Sequence, residues 1–143
     1  MNQNAEMLNF IYQNTQMGVT TLNQLIEIVD NVDMNKQLEK QRKEYKTIHE
    51  KAKDMLHENG YDEQSISMFE TMSAYIMINM KTLTDKSVSH IAEMLVQGSN
   101  MGIIDATKKI KEYEKIAEKD IVDLMKKLLE IEEENAEKLK MYL

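Results

Sequence analysis

Only three histidines, His49, His57 and His90, could serve metal or acid–base chemistry. Metal centres in helical bundles use inward carboxylates and a Glu-x-x-His spacing, because residues three apart share one helix face. That order is absent here. His90 precedes Glu93 by three, which reverses the order but keeps the shared face, and with Glu27 it could form part of a metal site. His49 and Glu50 are neighbours and point apart, and His57 sits beside Glu58; both histidines read as surface residues. Thirteen methionines offer thioethers to a soft metal. Met68, Met72, Met77, Met80, Met94 and Met101, however, lie in the least charged stretches at helical spacing, which points to core packing. There is no cysteine, so disulfides, thiol nucleophiles and thiolate metal sites are excluded. No glycine-rich phosphate loop is present, and spacing within separate helices defines no Ser/His/Asp grouping. No catalytic, cofactor-binding or metal-ligating set can be assembled, and no cofactor is expected.

The elements that would position any site are helices. The 143 residues include no proline and four glycines, and aromatics make up 6%. Leu, Met, Lys, Glu and Gln dominate, which favours helix over sheet. The expectation is one all-α domain over residues 1–143, a four-helix bundle. The first predicted helix covers about 4–30, with Met7, Ile11, Gly18, Leu22, Leu25 and Val29 near a 3.6-residue period. Asp30-Asn31-Val32-Asp33 breaks it, with Asp33 as the expected cap. The second runs to about 58, with Met34, Leu38, Tyr45, Ile48, Ala52 and Met55 on one face, and Asn59-Gly60 ends it. In the connection 61–83, Ser67 and Glu70 have capping-box spacing, and the uncharged run Thr71–Met80 reads as a short buried helix. The third helix is expected from about Asp85, with Val88, Ile91, Leu95, Gly98, Gly102, Ala106, Ile110 and Tyr113 in register. The fourth carries Ile121, Leu124, Leu128, Ile131, Asn135, Leu139 and Tyr142. No Gly or Pro separates these two. A turn is inferred from the Asp120/Asp123 pair, and because one helix over 85–142 would be about 87 Å long, too long for so small a core to cover.

Charge is spread unevenly. Residues 1–30 hold only Glu6, Glu27 and Asp30, residues 94–104 hold none, and residues 105–143 hold twenty. A bundle helix is normally charged on its outer face, so the first helix and the start of the third should be covered. The candidates are segment 71–80 or a second copy of the chain, and a homodimer through the first and third helices is expected. Glu132, Glu133 and Glu134 read as a solvated face. Asn14, Gln41, Gln97, Asn100 and Asn135 lie at or near the inner stripe and need partners if buried. Gly18, Gly98 and Gly102 sit mid-helix, each at a cost of about 1 kcal/mol relative to alanine. Close approach of the first and third helices would offset this; room for a small ligand near Gly98 and Gly102 is the other reading. The net charge of −7 argues against nucleic acid and anionic membrane surfaces. Residues 7–26 lack charge, but nine of those twenty are Asn, Gln or Thr, too polar for a membrane span. No basic leader region precedes them, and a cytoplasmic location is expected.

Two long helices, a long connection with a short helix, and two more helices resemble the ferritin-like plan. The stretch Leu8-Asn9 through Gly18 to Leu25-Ile26-Glu27 resembles the start of small bacterial ferritin-like proteins linked to stress, and Tyr45–Gly60 is similar to their second helix. The third helix, with Glu93–Ile104, and the fourth can be laid alongside. The resemblance implies a connection that runs the length of the bundle, so that the second and third helices are parallel. A 27-residue helix is about 40 Å long, which residues 61–83 can span. Metal-binding members carry glutamates in the first and third helices and Glu-x-x-His-type pairs in the others. Here Thr20, Thr21 and Asn23 stand in the first helix, and Ile48 or His49 falls at the ligand histidine. Gln97 and Asn100 occupy the third-helix carboxylate neighbourhood, and the fourth helix has no histidine. The resemblance therefore implies a kept fold with a lost di-iron site, acting by self-association or partner binding. A degenerate iron- or manganese-binding protein is the alternative.

Overall fold

The structure, a computed structural model, describes residues 2–62 and 83–143. Among them are four α-helices, α1 (Gln3–Ile28), α2 (Val32–Glu58), α3 (Val88–Tyr113) and α4 (Lys119–Leu139), a terminal 3-10 turn at Lys140–Tyr142, and no strand. The all-α expectation holds. The expected short helix in the connection, at 71–80, lies outside the described residues.

Local chemistry sets each helix end. Asn2 caps α1 by accepting from the Ala5 amide at 2.9 Å. Asn31, not Asp33, caps α2, accepting from Met34 N at 2.8 Å. Asn35 Nδ2 donates back to the Ile26 carbonyl in the last turn of α1 and to the Val29 carbonyl just beyond it, at 2.8 and 3.2 Å, which ties the two helices across the bend. The end of α2 is a Schellman motif: Tyr61 N donates to Leu56 O at 2.8 Å and Gly60 N to His57 O at 3.0 Å. It requires a positive φ, and Gly60 supplies +74°. Helix α3 starts three residues after Asp85, capped by Ser87, whose own amide is held by the Asp85 carboxylate.

The turn between α3 and α4 exists, but not for the expected reason. Asp120 lies inside the first turn of α4, Asp123 pairs with Lys119 at 2.8 Å, and the cap position is Glu118, with no side-chain cap bond. The start of α1 holds this turn instead. Asn4 Oδ1 accepts from Glu118 N at 2.9 Å, Gln3 Nε2 donates to Ile116 O at 3.2 Å, and the Tyr113 hydroxyl donates to Glu6.

These contacts also fix chain direction. The start of α1, the end of α3 and the start of α4 share one end of the bundle. The end of α2 joins them, because Asn2 Nδ2 donates to the Tyr61 hydroxyl at 2.6 Å. Helices α2 and α3 therefore run parallel, and α1 and α4 run against them.

Every position from Met7 to Thr15 is buried by the chain itself, including Asn9, Gln13 and Asn14. A helix buried on all sides has no outer face to charge. The missing charges of this stretch thus have a cause within one copy. The core joins Leu8, Ile11, Leu22 and Leu25 of α1 to Leu38 and Leu56 of α2, Ile91 of α3, and Ile121, Met125 and Leu128 of α4. Each such side chain contributes about 1.5–3 kcal/mol by leaving water.

Gly18 makes a close approach, but to α2 rather than α3. A Cβ there would lie 2.8 Å from Tyr45 Cδ2 and 2.9 Å from Cε2. The ring is buried and tethered at its hydroxyl, so it cannot yield. Gly18→Ala should therefore lower stability by about 1–3 kcal/mol through overpacking, even though alanine is the better helix former by about 1 kcal/mol. Urea unfolding midpoints check this; an unchanged or raised midpoint would refute the packing role of Gly18.

Candidate functional site

The middle of the bundle contains a polar layer. Glu132 of α4 is 3% exposed and faces inward. Its Oε1 accepts from the Tyr45 hydroxyl of α2 at 2.7 Å. The reading of Glu132 as part of a solvated face is thus wrong, whereas Glu133 and Glu134 are exposed. The reason is register. Glu132 lies four residues after Leu128 and seven before Leu139, both core positions, and Ile131 and Asn135 flank it on the same stripe.

Burial raises the Glu132 pKa from its ordinary 4.5 to about 7, against the opposing pull of the Tyr45 and Ser99 hydroxyls. Tyr45 is pushed up by burial and by the adjacent carboxylate. Around this pair lies a cavity of about 40 Å³ whose wall includes Asn14, Gly18, Thr21, Gln41, Gly98 and Ser99. Gln41 and Asn135 are buried, and neither Gln41 Nε2 nor Asn135 Nδ2 finds an acceptor among the described residues. Gln37 Nε2 donates to Asn135 Oδ1 at 3.4 Å. Asn14, Gln41 and Asn135 thus lie inside, whereas Gln97 and Asn100 are exposed. Gly98 lines the cavity.

The histidines do not join this layer. His49 is half-buried, not a surface residue, and stacks on Tyr12 with centroids 4.4 Å apart. Its Nδ1 lies 3.3 Å from Tyr12 O and 3.2 Å from Thr15 Oγ1. Thr15 spends its one hydroxyl hydrogen on backbone carbonyls of its own helix, at 2.8 Å to Ile11 O and 3.1 Å to Tyr12 O. Nδ1 must therefore carry the proton, since both its partners act as acceptors. His57, Glu93 and Glu27 are exposed and His90 is half-exposed. Among the described residues no three His, Asp or Glu side chains converge to hold a metal ion, so His90, Glu93 and Glu27 do not come together as a site. The polar layer offers one carboxylate among hydroxyls and amides, a donor set that does not fit a dinuclear metal.

A second concavity, an open groove of about 500 Å³, runs between α2 and α4 over Ile48, Leu124 and Ile131, with Lys51, Lys127, Asp120 and Asp123 on its rim. No helix among the described residues is long and apolar enough to cross a membrane. Comparison with protein-family models, with curated proteins and with solved structures finds no match in any of the three. Among the described residues the fold is a four-helix bundle with a buried polar layer.

Glu132 makes stability depend on pH with a definite sign. Its folded pKa lies above its unfolded value, so between about 4.5 and about 7 the folded chain holds a proton that the unfolded chain has lost. Its contribution to stability falls as pH rises through that window. The full cost above the window is on the order of 3 kcal/mol, at about 1.36 kcal/mol per pKa unit. Glu132→Gln should remove that slope. Unfolding midpoints measured across the window for both proteins test it; equal slopes would refute the assignment.

Proposed function

We propose that this chain is a ferritin-like bundle that has given up metal chemistry and works without catalysis, by association with itself through α1 and α3. The observation that carries this reading is the makeup of the central layer. The polar layer at the centre of the bundle holds Glu132, Tyr45, Gln41, Asn14 and Ser99, with one carboxylate and no histidine among them. The parallel course of α2 and α3 agrees with the ferritin-like connection.

Association is supported by what remains exposed on the charge-poor helices. Gln97, Asn100 and Ile104 lie on one face of α3, with Ile104 53% exposed, and Thr20, Asn23 and Gln24 are exposed on α1. Uncharged polar side chains around an apolar one lose less on leaving water than charged ones would. The alternative, a degenerate iron or manganese binder, has the inward carboxylate of Glu132 in its favour.

Native mass spectrometry of protein purified without chelator, with elemental analysis of the same sample, separates the two. A metal-free dimer is expected; stoichiometric iron or manganese would overturn the proposal. Gln16→Glu, at a half-buried position on the same face of α1 as Thr20 and Asn23, and Asn100→Glu should each weaken the dimer by introducing paired like charges, read as a shift toward the monomer in sedimentation velocity. Unchanged sedimentation in both would remove α1 and α3 as the interface.

A further inference from the structure

The Gln41 side chain is 3% exposed, lines the central cavity and leaves its Nε2 hydrogens without an acceptor among the described residues. An unanswered buried donor is costly, and the same cavity wall carries the Glu132 carboxylate. One water molecule occupies about 30 Å³ of the liquid and needs two to four polar partners. The cavity, at about 40 Å³, is roomy enough to hold water. We propose that a water molecule seated here accepts from Gln41 Nε2 and bridges it to Glu132, making the three a buried proton-binding site.

The site works in both protonation states. Tyr45 donates to Oε1 of Glu132 throughout, so the proton is taken up on Oε2. With Glu132 ionised, the water donates to Oε2. With Glu132 neutral, Oε2–H donates to the water, which turns its own hydrogens elsewhere. Gln41 donates to the water in each case, so its Nε2 has an acceptor in both protonation states. Few other charges act on the pair. From α2 it faces the Tyr45 phenol, with Glu44 acting on that phenol from farther off. Neither α1 nor α3 brings a titratable side chain to the described cavity wall. The elevated Glu132 pKa is the behaviour expected of such a site. The inference stands whether or not the chain self-associates.

Two measurements on the full chain test it. Water–amide cross-relaxation in the native protein should show a long-lived water at the Gln41 side-chain amide, an observation that needs no variant. Carboxyl carbon shifts followed against pH should then place the Glu132 titration roughly one unit higher in Gln41→Leu than in the native chain, about a tenfold gain in proton affinity, because the carboxylate loses its hydration. The absence of that cross-relaxation overturns the proposal. So does a folded Gln41→Leu in which Glu132 titrates as in the native chain.

Discussion

A carboxylate placed in an apolar interior must be answered by hydrogen bonds or stay protonated. Here the answer comes from the opposite helix. The Tyr45 hydroxyl reaches Glu132 at 2.7 Å, and much of the bundle's centre follows from that bond. The Tyr45 ring must cross the middle of the molecule, so the residue of α1 behind it can have no side chain, and Gly18 stands there. On the α3 side, Gly98 and Ser99 keep the wall small and give the carboxylate a second hydroxyl. All four helices thus meet at a layer defined by one acid.

The second constraint acts at one end. Asn2, Gln3, Asn4 and Glu6 bond to Tyr61, Ile116, Glu118 and Tyr113, each across more than fifty residues of sequence. The first turn of α1 therefore clamps the end of α2 and the turn between α3 and α4. This clamp lets the α3–α4 turn form without glycine, proline or a side-chain cap. It also ties α2 and α3 to a common direction.

What the sequence made legible was local and periodic. The Gly60 stop was readable because a left-handed residue after Asn59 is a backbone requirement. Tyr45 and Asn135 fell on the inner stripe by spacing, but the same spacing put Gln41 beside Gln97 and Asn100 at or near that stripe, and only Gln41 of those three is buried. Asn31 was missed as a cap because Asp33, two residues on, is an equally good capping type. The α3–α4 turn was placed on the wrong residues because its bonds come from the far end of the chain. Glu132 was misread for a different reason. Three consecutive glutamates look like a solvated face, and composition outweighed the register that puts Glu132 between Leu128 and Leu139. The lack of charge in α1 was real evidence of cover, but Met7 to Thr15 is covered within one copy, so it says less about a partner than expected.

The polar layer also bears on why this sequence has one packing. Apolar bundle helices can slide by a heptad and still bury leucine against leucine. Such a slip of α4 past α2 would bring Met125 or Leu139 opposite Tyr45. The phenol would lose its acceptor, and the carboxylate would lose its donor, either in another apolar layer or at the bundle's end. A buried polar group left without its partner costs about 1–3 kcal/mol, a sizeable share of the roughly 5–15 kcal/mol that holds a typical domain together. The bond between Tyr45 and Glu132 therefore marks the native register, since a shifted packing separates the phenol from the carboxyl that answers it.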